Sequence, residues 1–394
     1  MGAAGAITAP LERALELLDR NALRRARRRL DSAQGPTVVL DGRRVNNFSS
    51  NDYLGLAAHP ALKAAANAAI DSWGVGSGAS HLVSGHMAPH EQAEHDFARF
   101  TGLPEALLFS SGYAANLGLL TALADREAEI FADKLNHACL NDGALLSRAA
   151  FTRYPHLDLA ALEAQLARST AKTRVIATDT VFSMDGDLAP LPELLALADS
   201  CDAWLVLDDA HGIGVLGERG RGALEHFALR SPRIAYMATL GKALGGHGAF
   251  VAGAPALIDW LVQKSRTYVF TTALPPAIAA AASAAMELLE REPGHVLRLR
   301  GNIARFREAC AANDVALMQS MTAIQPVVVG EPGPALAASR ALLEQGFFVP
   351  AIRPPTVPAG TSRLRISLCA SHAHEQLDAL AGALGKLKRD GALG

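Results

Sequence analysis

Ala203-Trp204-Leu205-Val206-Leu207-Asp208-Asp209-Ala210-His211-Gly212 is the stretch around which the fold is read. Its first five residues are apolar without alternation, the composition of a short strand covered on both faces, as in a parallel sheet. Such a strand delivers a carboxylate, Asp208, at its carboxyl end and a histidine three residues on. The pattern recurs: residues 129–133 lead to Asn136-His137, and residues 174–179 lead to Phe182-Ser183-Met184-Asp185-Gly186. Strands alternating with helices predict a largely parallel sheet, whose ligands collect beyond the carboxyl ends of its strands. His137, Ser183, Asp208 and His211 are therefore expected at one crevice.

Downstream, Ala238-Thr239-Leu240-Gly241-Lys242-Ala243-Leu244-Gly245-Gly246 sets a lysine among glycines. Alone, Gly-Lys reads as a surface turn with a solvated amine. A P-loop reading fails, because Ala243 stands where the Mg²⁺-binding Ser or Thr belongs. Joined to Asp208 and His211, the lysine completes the layout of a pyridoxal phosphate site. Lys242 supplies an amine for the cofactor's carbonyl, Asp208 holds the proton on its ring nitrogen, and His211 hydrogen-bonds its phenolic oxygen. Residues 106–116, ending in Ser110-Ser111-Gly112-Tyr113-Ala114-Ala115-Asn116, read as a strand, a tight turn and a helix start. By itself that is a plain βα turn. Beside Lys242 it becomes a cup for the cofactor phosphate, since a helix amino terminus presents free N–H groups to an anion.

Composition narrows the function classes. With 394 residues the chain has room for more than one domain. Lys plus Arg number 37 against 39 Asp plus Glu, a formal charge of −2 that makes no electrostatic case for nucleic acid. Cys139, Cys201, Cys310 and Cys369 lack C-x-x-C spacing and suit a reducing compartment. Met1 to Pro10 carries no cationic stretch, so no secretory leader is expected, and the alanine-rich residues 273–286 are broken by Pro275 and Pro276 and read as a buried helix. The cytoplasm is the default.

Residues 11–30 read as an amphipathic helix ending in an arginine run, and residues 38–45 as a hairpin with an Asp41-Gly42 turn. A helix is expected over 60–72, followed by the glycine-rich loop 74–86. His86, His90 and His95 invite a zinc reading, but His90 and His95 lie roughly 140° apart on a helix, so they are read as solvated helix histidines. Gly212-Ile213-Gly214-Val215-Leu216-Gly217 matches a dinucleotide fingerprint, yet residues 218–222 do not continue as a helix, and the reading is rejected. From about residue 290 the pattern becomes α+β, with a helix over 298–313 and strands over 325–329 and 363–368.

Three stretches, Val181-Phe182-Ser183-Met184-Asp185-Gly186-Asp187, Asp208-Asp209-Ala210-His211-Gly212 and Ala351-Ile352-Arg353-Pro354-Pro355-Thr356-Val357-Pro358, resemble the α-oxoamine synthases among fold-type I pyridoxal phosphate enzymes. The resemblance covers about residues 15–372. Asp-Asp-Ala-His-Gly departs from the Asp-Glu-x-His-Ala of 5-aminolevulinate synthases, which counts against that member. The resemblance implies an α/β large domain with a mostly parallel sheet (46–289), a smaller α+β domain (290–394) and an amino-terminal segment (1–45). It implies Lys242 as Schiff-base lysine and base, Asp208 on the pyridinium, His211 on the phenolic oxygen and His137 stacked on the ring. Ser183 would also contact the cofactor. Ser111, Gly112, Tyr113 and Thr239 would bind its phosphate, with Thr271 or Thr272 arriving from a second subunit of a homodimer. Asn51 and Arg365 would meet the amino acid, and Arg353, Thr356 and an amino-terminal arginine, Arg27, the acyl substrate. The implied reaction condenses L-alanine with a pimeloyl thioester and releases CO₂. A sibling reaction on glycine, and a pyridoxal phosphate protein without catalysis, stay open at this point.

Overall fold

The computed structural model describes residues 4–393. The reading of the first ten residues therefore rests in part on Met1 to Ala3, which lie outside the described residues. The chain divides into two compact units, residues 1–50 with 184–186 and 301–394, and residues 51–183 with 187–300.

The first unit begins with a helix, Ala4–Arg20, shifted from the expected 11–30. It stops early because Asn21 and Ala22 fold back into a turn, Ala22 taking a positive φ of 55° and Leu23 N–H reaching Leu18 O at 2.8 Å. The arginine run therefore leaves the helix as irregular chain, with Arg28 paired to Asp41 at 2.8 Å. β1 (Thr37–Leu40) and β2 (Arg43–Asn47) form the expected hairpin, Val38 opposite Val45. Its turn residues Asp41 and Gly42 both have positive φ, 48° and 78°, the geometry that Asp-Gly serves.

The second unit is built on seven strands: β3 (Glu105–Phe109), β4 (Ala128–Asp133), β5 (Ala150–Tyr154), β6 (Thr173–Asp179), β7 (Ala203–Asp208), β8 (Ile234–Thr239) and β9 (Ala249–Gly253). Their order across the sheet is β3-β9-β8-β7-β6-β4-β5. The run from β8 to β5 is parallel, and β9 lies antiparallel between β8 and β3. Leu205, Val206 and Leu207 are all fully buried, so both faces of β7 are covered, as its unbroken apolar sequence requires. Burying a side chain of this size contributes about 1.5–3 kcal/mol, which makes the sheet centre a stiff base for the loops beyond it.

The rejected fingerprint, residues 212–217, forms turns and no helix. What holds these turns is Asp209. Its carboxylate accepts from Tyr236 Oη at 2.6 Å, Ala223 N–H at 2.9 Å and Thr180 Oγ1. Gly222 is required there: φ is +88°, and a Cβ would strike the Asp209 carboxylate and come within 2.6 Å of the Tyr236 hydroxyl. Helix Pro276–Arg291 is packed inside this unit against helix Pro60–Trp73, as its alanines predict. No described helix is long and apolar enough to cross a membrane.

The carboxy-terminal part of the first unit adds helix Gly294–Ala312 from residue 301 on, then β10 (Ile324–Gly330), β11 (Phe347–Phe348), β12 (Ala351–Ile352) and β13 (Ser362–Ser367). β13 is the centre of a three-stranded sheet with β10 and β12, and β11 pairs in parallel with β2.

Candidate active site

Adjacent strands set two aspartates side by side: Asp179 ends β6 and Asp208 ends β7, opposite each other in register. Asp208 is 3% exposed. Its Oδ1 accepts from Ala210 N–H at 3.0 Å, and its Oδ2 accepts from Asn116 Nδ2 at 2.7 Å. Burial and the neighbouring Asp208 together raise the Asp179 carboxyl well above the usual range. Asp179 Oδ2 accepts from His137 N–H at 2.6 Å, which fixes the start of helix Ala138–Ser147, capped by His137. His137 Nδ1 lies 2.8 Å from Cys139 Sγ. Burial holds His137 below its ordinary value, opposed by Asp208.

Past β8, the glycine turn carries Lys242 to within 2.8 Å of His211, Nζ to Nε2. His211 Nδ1 in turn lies 2.7 Å from the hydroxyl of fully buried Tyr53, which donates to Asn51 Oδ1 at 3.0 Å. The donor and acceptor roles along Tyr53, His211 and Lys242 follow the tautomer of the imidazole. Lys242, His211, Tyr53 and Asn51 thus form one continuous chain of polar groups. Ser111 caps helix Gly112–Leu123, its Oγ accepting from Ala114 N–H at 3.1 Å, and Thr239 Oγ1 donates to Gly248 O at 3.0 Å. A Cβ on Gly112 would meet Thr239 and Met237 at 3.8 Å, so the helix terminus lies against the end of β8. Tyr113 is half exposed, its hydroxyl on Asp142, and Ser183 is half-buried in the turn after β6.

These residues fit pyridoxal phosphate. The set supplies an amine, a buried carboxylate held by donors, a histidine beside the amine, and a capped helix terminus for the phosphate. Sequence reading missed Tyr53, Asn116, Cys139 and Asp179. Each sat in or next to a stretch already singled out, but nothing in residue type separates a group that supports the site from one that fills space.

Thr272 pairs with Ser80 of the glycine-rich loop in an isolated bridge, and Ala273 N–H donates to Ala79 O at 3.0 Å. Among the histidines, His95 is exposed as expected, but His90 is not solvated: it is fully buried. His90 Nδ1 accepts from Met87 N–H at 2.9 Å and Nε2 donates to Leu274 O at 2.5 Å. Donor atoms of His81, His86 and His90 lie within 4.8 Å of one another. With both His90 nitrogens committed to backbone groups, the trio serves as a packing cluster and a helix cap.

In the first unit, Arg365 is 5% exposed, its Nη1 donating to Ser367 Oγ at 2.9 Å. Arg353 donates to Ala22 O and, at 3.5 Å, to Arg24 O. Of the arginine run it is Arg25, rather than Arg27, that meets Thr356, Nη2 to Oγ1 at 2.9 Å. Burial, and after it the charges of Arg25 and Arg340, lower the Arg353 guanidinium below its ordinary value.

Fold and site together define a fold-type I pyridoxal phosphate transferase. The aminotransferase class I and II family model matches residues 43–384. The 8-amino-7-oxononanoate synthases of Methylococcus capsulatus and Chromobacterium violaceum are each 57% identical to this chain. They align over 361 and 365 residues, 91% and 93% of this chain and 93% and 94% of theirs. The chain belongs to the 8-amino-7-oxononanoate synthase family, pyridoxal phosphate-dependent acyltransferases of biotin biosynthesis. Among solved structures, a serine palmitoyltransferase of Sphingomonas wittichii superposes with a TM-score of 0.92 at 30% identity, covering 100% of both chains. An 8-amino-7-oxononanoate synthase of Francisella tularensis gives 0.77 at 33%, covering 89% of this chain and 99% of its own.

Proposed function

We propose that the chain condenses L-alanine with a pimeloyl thioester, releasing free thiol and CO₂ and leaving 8-amino-7-oxononanoate. The observation that carries the reading is the Lys242–His211 contact of 2.8 Å beside a donor-held Asp208. Bound here, pyridoxal phosphate supplies an electron sink for charge developing at the amino acid's Cα. Lys242 takes the Cα proton; a positioned general base contributes roughly 10²- to 10⁴-fold. The Cα then bonds to the thioester carbonyl carbon as the C–S bond breaks, and the sulfur departs as thiolate, which takes a proton from solvent to become free thiol. Loss of the alanine carboxylate as CO₂ comes next, and Lys242 returns a proton to Cα. With the cofactor bound, Asp208 would keep its ring nitrogen protonated, His211 would hydrogen-bond its phenolic oxygen, and His137 would lie against its ring.

Asn51 and Arg365 are assigned to the amino acid. Thr356 with Arg353 and Arg25 is assigned to the acyl substrate, whose distal carboxylate suits two neighbouring guanidiniums. Functionally we divide the chain at 46 and 290, place the enzyme in the cytoplasm, and assemble it as a homodimer. The test is direct: pyridoxal phosphate-loaded protein, alanine and pimeloyl thioester should yield CO₂ and thiol together. No release at full loading overturns the assignment. The structural likeness to serine palmitoyltransferase gives a second reading, in which serine is the amino acid. A titration with serine, glycine and alanine that shifted the cofactor's absorption only with serine would favour it.

A further inference from the structure

We propose that Asn116 is a positioning residue that fixes the plane in which Asp208 meets the cofactor's ring nitrogen, an inference that rests on the pyridoxal phosphate reading of the site. A carboxylate tied at one oxygen can still turn about its Cβ–Cγ bond. Ala210 N–H ties Oδ1 of Asp208 at 3.0 Å, and Asn116 Nδ2 ties Oδ2 at 2.7 Å, so the two donors together leave one orientation. Asn116 Nδ2 also reaches Cys139 Sγ at 3.1 Å, and that sulfur lies 2.8 Å from His137 Nδ1. One amide thus connects the carboxylate assigned to the ring nitrogen with the imidazole assigned to the ring face.

Two further observations separate this role from packing. Asn116 is fully buried on helix Gly112–Leu123, and its Oδ1 has no hydrogen-bond partner among the described residues. A buried amide oxygen without a partner is costly, and leucine would fill an enclosed helix position more cheaply. Here the amide is kept for its donor end. The helix that carries Asn116 also presents Ser111 and Gly112 at its amino terminus, one turn away. A single rigid element therefore spans from the turn assigned to the phosphate to the clamp on Asp208, and a helix transmits such spacing with little slack.

The experiment compares Asn116→Leu, which keeps volume and removes both polar ends, with Asn116→Ala, which removes both ends together with the bulk. Leu119→Ala, a core change on the same helix, is the control. Each variant is titrated with pyridoxal phosphate in the absence of substrates, and the absorption of the bound cofactor is followed against pH. Both Asn116 variants are expected to raise the cofactor dissociation constant about tenfold or more and to move the spectral midpoint by at least about half a pH unit. They should lower kcat while leaving KM for the pimeloyl thioester within about twofold. Leu119→Ala should lower Tm without moving the spectrum. Wild-type affinity and midpoint in whichever Asn116 variant folds would overturn the proposal. A wild-type protein that takes up no pyridoxal phosphate would overturn the site reading with it. A wild type that binds the cofactor but turns over another acyl donor refutes only the substrate assignment and leaves the spectral comparison decisive.

Discussion

Asp179 and Asp208 face each other across two strands, and buried neighbouring carboxylates resist ionising together. Burial and Asp208 raise Asp179 well above the usual range, which favours its protonated form, and the oxygen that accepts from His137 N–H serves in either form. Asn supplies the same acceptor in the same shape without a charge. Asp179→Asn is therefore expected to change stability by less than about 1 kcal/mol, while Asp179→Ala, which strands the amide, should cost about 1–3 kcal/mol. Denaturant unfolding of the two variants decides it, and an Asn variant as weak as the Ala variant would show that Asp179 works as a carboxylate. A second residue-scale prediction concerns the acyl end. Arg25→Ala should raise KM for the pimeloyl thioester by about tenfold or more, the range for one lost charge-assisted contact, and leave the alanine-induced spectral change intact. Arg27→Ala should leave both unchanged. Equal effects from the two would return the assignment to the run as a whole.

At the scale of elements, the turn bearing Ser183 is held by a histidine that belongs to no motif. His156 Nδ1 lies 3.0 Å from Asp133 at the end of β4, and Nε2 lies 2.8 Å from Asp187, which closes the turn by accepting from Phe182 N–H at 3.1 Å. Burial opposes its charge, but the hydrogen bonds to Asp133 and Asp187 prevail and raise it to about 9. Its folded value exceeds the ordinary 6.5, so its contribution to stability is complete below about pH 6.5 and is lost as pH rises through about 9. His156→Gln should show its largest Tm deficit near pH 6 and a deficit that closes toward about pH 10. A constant deficit would mean that shape, not charge, holds the turn. The contrast with Asp208 shows what was legible. Asp208 and Lys242 could be read because strand period, glycine punctuation and residue chemistry all act within a few positions. Asp133, His156 and Asp187 come from three separated segments, and only the sheet's strand order brings them together. The end of the amino-terminal helix was illegible for a related reason. Amphipathic spacing continued past Arg20, while the turn at Asn21 and Ala22 depends on Leu23 N–H finding Leu18 O.

For the whole molecule, the decisive question is how many chains build one site. The glycine-rich loop and the Thr271–Thr272 segment, separated in sequence, are joined in space by the Ser80–Thr272 bridge and Ala273 N–H to Ala79 O. Around them Val75, Val83 and Phe270 are 77%, 79% and 71% exposed. Large apolar side chains left in water beside a glycine-rich loop suit the homodimer proposed above. A second copy joined by a twofold axis would cover this surface on both subunits at once, since an isologous interface uses the same patch twice. On this reading each Lys242 works beside a threonine from the partner. Lys242→Ala and the double change of Thr271 and Thr272 to Val should each be weak alone and recover activity when mixed and allowed to exchange. Random exchange makes about half the dimers hybrid, each with one site free of lesions, so recovery should approach about a quarter of the wild-type rate. Exchange is checked by mass-tagging one parent. If tagged and untagged chains have mixed and activity remains the simple sum of the two parents, each chain completes its own site and the shared-site dimer is wrong.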